Sequence, residues 1–82
     1  MKTDMKTEMK TDIIDNIIWN AGSIDNLMTC RQEWETEDEY MEKLYDTAND
    51  LFMDSIEELE LTNYDGIKEE TISEIVNMLM GV

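Results

Sequence analysis

The chain has 82 residues, a net charge of −15, one cysteine and neither histidine nor proline. A domain this small buries only about 60% of its unfolded surface, which leaves little room for a deep pocket. Without histidine it lacks the commonest general base and the commonest zinc ligand, and its charge disfavours direct binding to nucleic acid or an anionic membrane.

Residues 1–12 read MKTD-MKTE-MKTD, a tetrapeptide repeat too short for a solenoid. As a helix, Met1, Met5 and Met9 drift by about 40° per repeat and line no straight face. As a strand, Met and Thr fall on one side and Lys and acid on the other. The favoured reading makes residues 1–10 a frayed or partner-dependent extension of the first helix in a single domain spanning 1–82.

From Ile13 the pattern sharpens. Ile13, Ile14, Ile17, Ile18 and Ala21 form an apolar face, Trp19 points away from it, and Gly22 is a C-terminal stop. A second short helix is expected from Ser23 as N-cap, with Ile24, Leu27, Met28, Arg31 and Trp34 on one stripe. The two helices could equally be one kinked rod. Cys30 reads as a small, buried or half-buried hydrophobe, and a lone thiol fits a reducing cytosol. The start of the chain has no apolar signal-peptide segment, and no apolar run approaches transmembrane length. A cytoplasmic location is therefore expected.

The third helix has the strongest signature. Thr36 and Glu39 are spaced as a capping box, and Met41, Leu44, Tyr45, Ala48, Leu51, Phe52, Ile56 and Leu59 recur at core spacing. Phe52, Tyr45 and Trp34 are expected to pack, whereas Trp19, Tyr40 and Met53 fall outside or at the edges of the stripes. Asn63-Tyr64-Asp65-Gly66 predicts a turn, with a weak alternative hairpin from Leu59-Leu61 to Ile67. A last helix turns Ile72, Ile75, Val76 and Leu79 inward and ends at Gly81. The expected fold is all-α, a small antiparallel bundle of three to four helices.

The same third helix carries acids at strict four-residue intervals: Asp38, Glu42, Asp46, Asp50, Asp54 and Glu58. That spacing gives a ridge with about 6 Å of rise between carboxylates. Like charges at this spacing each cost a few tenths of a kcal/mol, so the chain accepts a local penalty. Glu35, Glu39 and Glu57 broaden the ridge, and Lys43 is its one cation. A basic partner is the natural inference.

No catalytic motif competes with this feature. There is no Gly-rich phosphate loop, and a single cysteine without histidine cannot form the usual activated thiolate pair. Aligning Gly66 with position six of a calcium loop puts Leu61 and Ile72 at the two ligand ends, so an EF-hand fails. No catalytic residue, cofactor or metal is expected. Asp54-Ser55-Ile56 resembles the attachment site of acyl carrier proteins, which implies a phosphopantetheine-bearing serine at Ser55. Here, however, Ser55 lies late in a continuous helix rather than opening one.

In size, charge and carboxylate ridge the chain resembles small acidic phage-encoded inhibitors that mimic nucleic acid, of the anti-CRISPR and anti-restriction type. Scarce Gly, Ala, Arg and Pro, whose codons are GC-rich, agree with a phage or low-GC bacterial gene. The resemblance implies a non-enzymatic blocker acting in the host cytoplasm. Its ridge would occupy the basic groove of a nucleic-acid-binding protein or complex. The expected footprint is Glu35, Asp38, Glu39, Glu42, Asp46, Asp50, Asp54, Glu57 and Glu58, with Trp19 and Tyr40 as candidate aromatic anchors. Two alternatives stay open: a helical interaction module (an antitoxin, a transcription regulator or an assembly subunit) binding through an apolar or aromatic patch, and a self-associating homodimer.

Overall fold

The computed structural model describes residues 5–81, and these contain helices and turns with no strand. The elements are α1 (Met5–Ala21), a 3₁₀ turn (Ile24–Asn26), α2 (Glu37–Glu58) and α3 (Lys68–Met80). The part of the MKTD repeat before Met5 lies outside the described residues; from Met5 onward the repeat is helical and continuous with α1.

Each helix buries a row of residues spaced by four. In α2 the row is Leu44, Ala48, Phe52 and Ile56; at α3 it is Ile67, Thr71, Ile75 and Leu79; in α1 it is Ile13 and Ile17. Such rows are the ridges that fit the grooves of a neighbouring helix. Phe52 is fully buried at the centre and meets the Tyr64 ring edge-on at 5.7 Å between centroids. Most inter-helix packing joins α2 to α3.

The helix ends follow from local chemistry. Thr36 is the N-cap of α2: its hydroxyl oxygen accepts from the Glu39 N–H at 3.2 Å, and the hydroxyl donates to the Glu39 carboxylate at 3.1 Å. At the other end Leu61 N–H reaches the Ile56 carbonyl and Glu60 N–H the Glu57 carbonyl. This is the doubled closure of a Schellman motif, with Glu60 at φ 54° where glycine is usual. It redirects Leu61 to cap α2, and the weak hairpin alternative gives way to it. Tyr64 accepts from the Ile67 N–H to close the expected turn. Gly22 and Gly81 both adopt positive φ as helix stops. A side chain at Gly81 would lie 2.7 Å from the Met28 methyl, so that glycine also makes room for the connector.

The expected second helix is reduced to the 3₁₀ turn, because the backbone of the following segment bonds outward instead of to itself. Thr29 N–H donates to the Leu79 carbonyl at 2.7 Å, and the Tyr40 hydroxyl donates to the Thr29 carbonyl at 2.6 Å. One residue, Thr29, thus ties the connector to the end of α3 and the start of α2. Its intended apolar stripe stays largely in water: Ile24, Met28 and Trp34 are exposed, Trp34 at 78%. Trp34 is therefore not a core residue, Tyr45 is exposed at 47%, and Cys30 is exposed rather than buried.

One core position is unsatisfied. Thr71 is fully buried and its Oγ1 has no hydrogen-bond partner among the described residues. A buried hydroxyl without a partner costs about 1–3 kcal/mol. Thr71→Val replaces it with a methyl of similar shape and is expected to raise stability by about 1 kcal/mol, read as a higher denaturant midpoint at unchanged m-value.

Candidate acidic interface

The six carboxylates of the four-residue row, Asp38, Glu42, Asp46, Asp50, Asp54 and Glu58, are all exposed. Each step along the row turns about 40° around the helix, so from Asp38 to Glu58 it winds by about 200°. The row is a spiral stripe rather than a straight ridge. It stays in water because the buried row drifts with it: Asp46, Asp50, Asp54 and Glu58 each follow a buried residue by two positions, about 200° away.

Three of the described cations are engaged away from the stripe. Lys10 of α1 bridges Glu70 and Glu74 of α3 at 3.1 and 3.2 Å, and these two hydrogen bonds hold its ammonium above the ordinary lysine range. Arg31 donates to the Glu35 carbonyl. Lys43 turns off the stripe to pair with Glu35 at 2.8 Å and lies 5.5 Å from the Tyr40 ring. Among the described residues no carboxylate of the stripe has an ion pair.

Three of the expected site residues have structural duties. Glu35 is half-buried, accepts from both Lys43 and the Gln32 N–H, and is held below the ordinary carboxylate range, by Lys43 first. Tyr40 is half-buried with its hydroxyl committed to Thr29, so it is not a free aromatic anchor. Glu39 is exposed but caps α2 through Thr36. Trp19 is 84% exposed on α1, beside a shallow hollow lined by Ile18 and Gly22.

At the C-terminal end of α2 the stripe meets α1. Ser55, nearly fully buried, donates its hydroxyl to Asn16 Oδ1 at 2.9 Å. Asn20 donates from Nδ2 to Asn16 Oδ1 at 3.3 Å and to Glu58 Oε2 at 2.9 Å. The chain of contacts leads from a buried hydroxyl to a surface carboxylate and fixes where Glu58 points. It also withdraws Ser55 from the accessible position that carrier attachment requires. Alongside runs a cleft of about 580 Å³, with Ile17, Ala21, Leu27 and Leu51 among its apolar walls and Asp54, Glu57 and Glu58 among its acids. Asn16 and Asn20, one turn apart on α1, were the sequence signal for this contact.

No protein-family model, no curated protein and no solved structure matches the chain. None of the described helices is long and apolar enough to cross a membrane.

Tyr40→Phe removes the hydroxyl that holds the Thr29 carbonyl and should lower stability by about 1 kcal/mol, measured by denaturant titration. Because Glu35 is depressed in the folded state, its contribution is present above the unfolded carboxylate pKa and disappears as pH falls through the folded one. Glu35→Gln should therefore destabilise at neutral pH, with the gap from the parent protein closing in strongly acidic solution; a gap that persists there refutes the ion-pair account.

Proposed function

We propose that the chain is a non-enzymatic inhibitor, a small helical bundle that imitates nucleic acid and occupies the basic groove of a nucleic-acid-binding protein or complex. A CRISPR or restriction effector is the kind of target intended, met in the cytoplasm of a host cell. One observation carries the reading: the carboxylates of α2 stand exposed in a continuous stripe with no intramolecular ion pair among the described residues. Arginines and lysines in a phosphate-binding groove offer the counter-charges that such a stripe lacks. Binding of this kind is steered by the long-range field and weakens steeply with salt. Contacts to arginine would be short and charge-assisted.

The interaction-module alternative draws on a different observation, the exposure of Trp19 and Trp34 with Ile24 and Met28. Exposed indoles of this size are common anchors in protein interfaces. Such a partner would be held with little sensitivity to salt.

A low-salt affinity capture from host lysate, eluted by a salt gradient, separates the two. For the mimic, one nucleic-acid-binding complex is released sharply at moderate salt and competed by DNA. Asp46→Lys with Asp50→Lys is expected to abolish that capture while circular dichroism stays helical. Full retention by the double variant, together with loss in Trp19→Ala, reverses the assignment in favour of the apolar module.

A further inference from the structure

We propose that the cleft between α1 and α2 is an arginine socket. It takes an arginine of a basic partner together with an adjoining apolar side chain, and so anchors what the rest of the acidic stripe only steers. This rests on the reading that the acidic face meets a basic protein, and names the chemistry by which one end of that face would hold it.

Three features converge there. The walls include Ile17, Ala21, Leu27 and Leu51, an apolar surface on which an aliphatic stem can lie. The rim carries Asp54, Glu57 and Glu58, and the Glu58 carboxylate is already aimed by Asn20, whose position is set through Asn16 by the buried Ser55. A pre-aimed acceptor loses less freedom on binding than a free-swinging one. Finally, the cleft lies at the C-terminal turns of α1 and α2, and neither turn contains a basic residue. The backbone carbonyls of a helix C-terminus are the negative end of its dipole, where a cation is favoured and acids such as Glu57 and Glu58 are not. The site thus combines carboxylates, two dipole ends and an apolar floor with no cation supplied by the turns that form it. Arginine suits it better than lysine: its planar fork bridges paired carboxylates and sheds water more readily.

The test uses the full-length ¹⁵N-labelled chain at low salt and three short acetylated peptide amides. One pairs arginine with leucine, one replaces arginine by lysine, and one replaces leucine by serine. The expected result is saturable shifts centred on Asn20, Ala21, Leu51 and Ser55 with the arginine-leucine peptide, and weaker binding of the other two. Glu58→Gln keeps an acceptor for Asn20 but removes the charge, and should weaken binding about fivefold. Ala21→Met, which fills the floor, should also weaken it. Asp46→Lys with Asp50→Lys should leave the peptide affinity nearly unchanged, which keeps this result separate from the fate of the mimic reading. Shifts spread evenly from Asp38 to Asp50, with equal affinity for the serine peptide, overturn the socket while leaving charge mimicry standing. Absence of shifts with all three peptides overturns it as well.

Discussion

The structure depends on the register between two rows of side chains on α2. Leu44, Ala48, Phe52 and Ile56 repeat every four residues, and so do the acids from Asp46 to Glu58 that follow two positions later. Since a four-residue step overshoots a turn by about 40°, both rows wind around the helix at the same rate. Wherever the apolar row is pressed against α1 or α3, the acid at that level is turned to water. Burial therefore decides the electrostatic surface. Rotating the helix to hide a carboxylate would expose a core residue at the same height.

The same register explains how so acidic a chain can fold. Two of its cations stitch elements together instead of screening the stripe: Lys10 joins α1 to α3, while Lys43 and Glu35 tie the connector to α2. The acids of the first turn of α2, Glu37, Asp38 and Glu39, sit at the favourable end of the helix dipole. Glu57 and Glu58 occupy its unfavourable end. Repulsion is thus offset at the N-terminus and left uncompensated at the C-terminus, and the stripe is most strained where it borders the apolar cleft.

Much of this was legible in the sequence because it is periodic. The α2 core, its Thr36 cap, the turn before α3 and the stop at Gly81 follow from spacing and from residues with a single local role. Residues 23–36 were not, for a physical reason. Their stripe of Ile24, Leu27, Met28 and Trp34 has helical spacing, yet Thr29 gains two tertiary hydrogen bonds that no local pattern encodes. The duties of Tyr40 and Glu35 were hidden for a related cause: each is tied by side-chain contacts across the junction of the connector and α2, which no periodic pattern encodes. The apolar stripe also overstated the burial of Tyr45. The acid spacing was plain, but a ridge drawn flat concealed its winding and hid the meeting of Glu58 with Asn20.

Both tryptophans, Trp19 and Trp34, stand largely in water in the folded chain. Their fluorescence should therefore resemble that of free indole before any denaturant is added, and it would be a poor reporter of unfolding. Its value lies elsewhere. An emission shifted to shorter wavelength, or protection from a soluble quencher, would register the arrival of another molecule at the α1 or connector surface, giving the protein a built-in optical sensor for association.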